Sequence, residues 1–427
     1  MPLMTFHGTA PLSLNLTNRI SPEIHDTIID HLHSFRPALL SCSTVCKAWL
    51  PACRYHLFYD INLTLRLAEF LWSSSSAMKN IVPYIQNVAI GGAWSAEQRD
   101  SFDKVISLLL RLDGVRGLAF ETWSWDFVSE RSLGVLLKAD GKLFHNVTTL
   151  RLQYLRFPSF SLLSAFIGGF VALEDLSFDN VTWDFAGLSM ASSSVALEGR
   201  DLHSHTLQLT RLHIRSSPVK PILCWLFGDN DLKGWQETSN LTLRYLAIPE
   251  VSPDELHAIG SALHVLGSSL RHLEIGFLMD SNDNNVMRSL AHMIDLSHNE
   301  NLHTIHIHNL TLYCFPPRTP SSPEHGYHFN QSSPLRWLVP FLDNISSHQL
   351  DEIGFHIWLS EEYHLDFVDW LALSTTLEKP VFLRLKTVRF EVSGLGEGRG
   401  DLRSWLLARL SAWKASSRAI LVSFLHM

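Results

Sequence analysis

The chain has 427 residues, enough for a large core and for more than one folding unit. It is 46% hydrophobic and 18% charged with a formal net charge of -8, which argues against a disordered chain and offers no basic surface for nucleic acid. Cysteine usage is equally sparse: five residues, with Cys42, Cys46 and Cys53 close together, form no CxxC pair and no regular framework, so they are expected to be reduced core residues.

Residues 1–18 have neither a basic n-region nor a long apolar h-region. They read as a flexible tail rather than a signal peptide, and the expected compartment is cytoplasmic or nuclear. Residues 19–58 follow as a compact helical stretch. Ser21 suits an N-cap and Pro22 the first helical position. Ile24, Ile28 and Leu32 then recur every four residues and build one apolar stripe. Beyond a break at 34–37, Leu39, Leu40, Cys42, Val45, Cys46 and Trp49 add more apolar surface than about forty residues can hide internally. Part of that surface is expected to wait for a partner.

The run Ile20-Ser21-Pro22-Glu23-Ile24, then Ile28 to Leu32, then Cys42-Ser43-Thr44-Val45-Cys46-Lys47-Ala48-Trp49 resembles an F-box, whose pattern is LPxEI, an apolar helix and CxxVCxxW. The resemblance implies docking on the Skp-type adaptor of the Skp, cullin and F-box ubiquitin ligases, and through it on a cullin. Carried over by position, Ile20, Pro22, Ile24, Ile28, Leu40, Val45, Cys46 and Trp49 would face the adaptor. The same stripe also fits a small helical cap that merely packs on the next domain.

From residue 59 to 427 one pattern recurs, an apolar triad spaced as in LxxLxI. It is found at Phe58/Ile61/Leu63, Ile85/Val88/Ile90, Val115/Leu118/Phe120, Val147/Leu150/Leu152, Leu173/Leu176/Phe178 and Leu209/Leu212/Ile214. It continues at Leu243/Leu246/Ile248, Leu270/Leu273/Ile275, Leu302/Ile305/Ile307, Leu350/Ile353/Phe355 and Leu385/Val388/Phe390. Between the triads, residues 98–112, 253–266, 286–296 and 361–373 carry apolar residues at helical spacing. A strand and a helix repeated in this way must stack to cover their apolar sides. The chain therefore resembles an irregular leucine-rich-repeat protein, with Asn180 and Asn309 near the family's post-strand Asn, and the expected fold class is α/β: a small helical F-box followed by a curved solenoid of parallel strands and helices.

Alternation along each strand predicts which side chains lie on the open, concave face. Asp175, Ser177, Asp179, Arg211, His213, Arg215, Tyr245, His272 and Glu274 come first. Thr304, His306, His308, Glu352, His356, Arg389 and Glu391 continue the row. Its sign changes along its length, which suits gripping a client protein; an ordinary solvated face with self-compensating charges is the alternative. Residues 315–334, rich in proline and poor in apolar side chains, are expected as an exposed loop that could accept proline-directed phosphorylation, and 184–205 as a second interruption.

No catalytic constellation emerges. His303, His306 and His308 cluster, yet no cysteine or carboxylate stands at ligand spacing and no HExxH is present, so no metal site and no cofactor are expected. The Gly394–Gly400 run lacks the third glycine of GxGxxG and any Lys-Ser/Thr pair, and reads as a turn. The uncharged stretch from Phe157 to Leu173 contains Pro158 and Gly168-Gly169 and reads as a buried repeat helix rather than a membrane span. The sequence thus points to a non-catalytic substrate-recognition subunit of a ubiquitin ligase with an unknown client, the alternative being a leucine-rich-repeat scaffold unrelated to ubiquitin transfer.

Overall fold

Every one of the eleven apolar triads leads into a strand, and most of the described elements between them are helical. The computed structural model describes residues 21–92, 99–125, 128–137, 144–184, 207–227, 242–278, 292–312, 337–359, 362–394 and 419–424, with 290, 335, 404 and 406. By internal contacts the chain divides into two compact units, one of Met1–Glu121 with Phe127–Val135, the other of Thr122–Asp126 with Leu136–Met427.

The first unit begins with three short helices, α1 (Pro22–His31), α2 (Arg36–Ser43) and α3 (Leu50–Phe58). Strand β1 (Asp60–Asn62) follows α3 after the single residue Tyr59, then come α4 (Leu65–Ser73), α5 (Ser75–Ile81), β2 (Asn87–Gly91), α6 (Arg99–Leu109), β3 (Gly117–Ser124) and α7 (Glu130–Leu137). Ser21 stands at the N-cap of α1 with an extended backbone and Pro22 occupies its first turn, as expected, although the Ser21 hydroxyl makes no capping bond. The strands β1, β2 and β3 pair in parallel with Ile61 beside Val88 and Val88 beside Leu118.

In the second unit the order is β4 (Thr149–Phe157), α8 (Phe160–Ile167), β5 (Asp175–Asp179), β6 (Thr182–Trp183), β7 (Arg211–Arg215), α9 (Val219–Phe227), β8 (Tyr245–Val251), α10 (Leu256–Leu266), β9 (His272–Phe277) and β10 (Thr304–Leu312). It ends with α11 (Leu338–Asp343), β11 (Glu352–Leu359), α12 (Trp370–Leu377), β12 (Thr387–Ser393) and β13 (Ala419–Phe424). Two of these strands, β6 and β13, are announced by no triad. All described pairings are parallel and the sheet does not close on itself.

The register carries the core. Leu150, Leu176, Leu212, Leu246, Leu273, Ile305, Ile353, Val388 and Ile420 stand side by side across nine strands. Burial alternates along β7, where Leu212 and Ile214 are buried and Arg211 and Arg215 are exposed. Period two therefore puts the triads on one face, where the helices cover them, and the polar residues on the other.

Several expectations need correction. The helix expected over 253–266 is present with Ser252 and Pro253 at its start, and only its first turn, Pro253–Glu255, is 3-10 rather than α. The one expected over 361–373 is a 3-10 turn, Glu362–Phe367, and α12 starts only at Trp370, after Asp369 caps it through the Ala372 amide. Of the cysteines expected in a core, Cys53 is buried, Cys42 and Cys224 are half-buried and Cys46 is exposed. The uncharged run 157–173 is the end of β4 followed by α8, whose Leu163, Phe166 and Ile167 are buried. Among the described residues no helix is long and apolar enough to cross a membrane. The tail 1–18, Ile20, the loop 315–334 and most of the 184–205 interruption and of the Gly394–Gly400 run lie outside the described residues.

Candidate functional site

Two surfaces gather the predicted residues, one in each unit. In the first, α1, α2 and α3 close on a core of Ile29, Leu39, Cys53 and Leu57, with Leu32, Cys42, Trp49, Ala52 and Phe58 packed against it. A 2.7 Å contact between His56 Nε2 and Asp30 Oδ1 ties α3 to α1. The His25 ring lies 5.4 Å from that of Trp49. Burial also pushes the Cys53 thiol pKa up, which keeps it a neutral core group.

With this core complete, apolar side chains are left over. Ile24, Ile28, Leu40 and Val45 remain 53, 46, 56 and 62% exposed. Covering the remainder of each is worth about 1 kcal/mol by area. All four are residues the F-box resemblance aims at the adaptor, and Cys46, also exposed, is a fifth. Trp49 is instead half-buried against the helical core. Pro22 serves to open α1, and Ile20 falls outside the described residues.

In the second unit the parallel pairing sets residues of equal strand position beside one another. One row on the polar face runs Asp175, Arg211, Tyr245, His272, Thr304 and Glu352. The next runs Ser177, His213, Ala247, Glu274, His306, Gly354 and Arg389. A third level puts Asp179 beside Arg215, Gly276 beside His308 and His356 beside Glu391.

Much of the charge expected to change sign along this face is paired across neighbouring strands. Arg211 meets Asp175 at 2.9 Å and Arg389 meets Glu352 at 2.9 Å. Arg215 approaches Glu250 at 3.6 Å, and Ser216 Oγ donates to the same carboxylate at 2.6 Å. Simple alternation from Ile248 would put Glu250 on the apolar face, and the break in register between Ile248 and Val251 is what the sequence pattern does not reveal. Exposed pairs of this kind contribute little stability, on the order of 0–1 kcal/mol each, but they reduce the charge presented to a partner.

The most closely knit part centres on Glu274. His308 Nε2 lies 3.3 Å from Glu274 Oε2, His306 Nδ1 lies 3.9 Å from Oε1, and Tyr245 Oη donates to Oε1 at 2.7 Å. The adjoining His308 imidazole and then the Tyr245 hydroxyl hold the Glu274 carboxyl down at about 2, against the opposing effect of burial. Burial, then the bond to Glu274, pushes the Tyr245 hydroxyl well up, so it stays a donor. His306 Nε2 contacts Glu352 Oε1 at 3.2 Å, and Arg389 Nε donates to that same oxygen at 2.9 Å. Burial holds His213, His272 and His356 below the ordinary imidazole value, so these rings favour the neutral form.

These side chains are not freely solvated: Glu274, His306 and His308 are only 26, 28 and 21% exposed. The carboxylate that sequence spacing failed to supply comes from the adjacent strand, one repeat upstream. Gly354 is part of the same arrangement. A Cβ there would stand 2.6 Å from His306 Cδ2, so the missing side chain is what leaves room for the imidazole. The His303 ring is held apart from this group by its own contact, Nδ1 to the Asn301 carbonyl at 2.6 Å.

Comparison with known proteins gives no match to a family model and no match to a curated protein.

Proposed function

We propose that the chain is a non-catalytic substrate-recognition subunit of a Skp, cullin and F-box ubiquitin ligase, in which α1 to α3 dock a Skp-type adaptor and the strand-and-helix repeats select a client. The observation that carries this reading is the set Ile24, Ile28, Leu40 and Val45, apolar yet about half exposed or more once the helical core is made. They coincide with positions that an F-box turns toward its adaptor. Surplus apolar surface at an interface is stabilised when a partner covers it, and a cluster of such side chains is what anchors a complex.

The alternation of parallel strands and helices supports reading the remainder as a leucine-rich-repeat-like solenoid whose polar sheet face meets the client. The sequence positions of the triads and their matching register both favour this. Such a subunit works by proximity: it raises the local concentration of client lysines near a conjugating enzyme recruited elsewhere on the ligase.

Co-expression of the full chain with a Skp-type adaptor, followed by affinity co-purification, tests the reading. The wild type is expected to retain the adaptor, and the Ile24→Asp/Val45→Asp double variant to lose it with unchanged circular dichroism. Both positions are exposed, so the variant separates docking from folding in a way that truncating Trp49, which packs on the helical core, would not. Absence of wild-type binding, or equal retention by the double variant, would leave the scaffold unrelated to ubiquitin transfer as the better account.

A further inference from the structure

We propose that Glu274, His306 and His308 form a binding site for a single divalent transition-metal ion of the zinc class. The inference is independent of the adaptor reading, since its ligands lie on β9 and β10 and their support on neighbouring strands of the second unit, none of them on α1 to α3. One ligand atom from each residue lies within 4.8 Å of the other two. With zinc bonds of about 2.0–2.1 Å, the ligand atoms of a tetrahedral site stand about 3.3 Å apart. His308 Nε2 and Glu274 Oε2 already stand at 3.3 Å, and His306 Nδ1 and Glu274 Oε1 at 3.9 Å. The set as a whole is wider than a tetrahedral site, so the two imidazoles would turn inward about their side-chain bonds to share one ion. Two imidazoles and one carboxylate are the donor set that suits zinc and its divalent neighbours, and three protein ligands leave a coordination position open.

Three further observations distinguish this group from a chance meeting of polar side chains. The first is its outer support. Glu352 contacts the far nitrogen of His306, Nε2, and is itself held by Arg389, so Nδ1 is left toward Glu274. A carboxylate on the outer nitrogen of a ligating histidine is the usual support of a bound metal, and Tyr245 supports Glu274 in the same way. The second is that His308 Nε2 is a buried atom without a well-directed hydrogen bond despite the nearby carboxylate. A buried polar atom in that state is costly unless something else satisfies it, and an ion shared with Glu274 would. The third is the space at Gly354, where any Cβ would press on the His306 ring.

His356 extends the argument. Its ring centroid is 5.6 Å from that of His308, and its Nδ1 is likewise buried without a hydrogen bond.

Zinc binding by the purified full-length protein, stripped with chelator, tests the proposal. Isothermal titration with zinc chloride is expected to show one tight equivalent above the weak background of a chain with 23 histidines. Glu352→Gln, which alters only the support, is expected to weaken that equivalent by about 10–100-fold. His308→Ala and Glu274→Gln are expected to abolish it, and His303→Ala to leave it unchanged. Zinc should raise the unfolding temperature of the wild type and of His303→Ala, but not of His308→Ala.

X-ray absorption at the zinc edge of the wild type gives a readout that needs no variant. Two imidazole nitrogens and carboxylate oxygen at about 2.0–2.1 Å are expected in the shell. A shell without imidazole overturns the site. So does the lack of a tight equivalent in the wild type, or its survival in both His308→Ala and Glu274→Gln.

Discussion

Among the described residues, five other than glycine adopt a positive φ: Thr122, Tyr154, Asn180, Ser216 and Asn309, between 48° and 59°. Each stands two residues after the last apolar residue of its triad, as Gly92 does after Ile90. The backbone repeat is therefore more regular than the side chains that build it. An ordinary residue in this conformation costs about 1–2 kcal/mol, which asparagine largely avoids. Only the asparagines and the glycine leave a sign in the sequence; a threonine, a tyrosine and a serine leave none. Asn309 adds a bond, its Nδ2 donating to the Pro249 carbonyl at 2.7 Å. We expect Asn309→Ala to lower stability by about 2–3 kcal/mol, and Asn309→Gly, which keeps the backbone but drops the bond, by about 1 kcal/mol. Urea unfolding of the two variants checks the order, and equal losses would show that the backbone conformation carries no cost.

Helix starts show the same division between local and distant causes. Ser252 and Glu255 form a capping box that needs only their own segment of sequence: the Glu255 carboxylate accepts from the Ser252 amide at 3.2 Å and from its hydroxyl at 2.8 Å. The other oxygen of that carboxylate accepts from the Val219 amide at 2.6 Å, at the start of α9. One carboxylate thus caps both the start of α9 and the 3-10 turn that leads into α10, placing negative charge where both leave amide groups without partners. Replacing Glu255 with Ala should cost about 2–3 kcal/mol, more than loss of a single cap, because the Val219 amide is stranded as well. Thermal unfolding followed by circular dichroism measures it. Replacing Ser252 alone with Ala should cost about 1 kcal/mol, since α9 keeps its cap.

For the molecule as a whole, stability resides in the apolar ladder. Leu246 lies in the middle of that row, fully buried, with Leu212 and Leu273 beside it. Truncation to alanine should cost about 2–5 kcal/mol, because neighbouring strands held by their own ladders cannot collapse into the gap. Leu371, at 79% exposure on α12, should tolerate the same change within about 0.5 kcal/mol. Calorimetric unfolding of both variants makes the comparison. The polar face is a different matter: its pairs, Arg211 with Asp175 or Arg389 with Glu352, join residues one repeat apart, and single changes there should scarcely move stability.

By itself the sequence determined the α/β alternation and the strand at every triad. Apolar residues at period two leave a short segment one way to hide them, and that constraint is local. It also determined that α1 to α3 would hold more apolar surface than they could cover, since composition and length decide that balance. Only the tertiary structure decided that the Glu274 carboxylate meets His306 and His308, that Glu352 stands behind His306, and that Gly354 opens the space. Those residues come from three different repeats, and their meeting depends on strand register. The apolar ladder on the opposite face sets that register, so the polar contacts follow from residues that take no part in them.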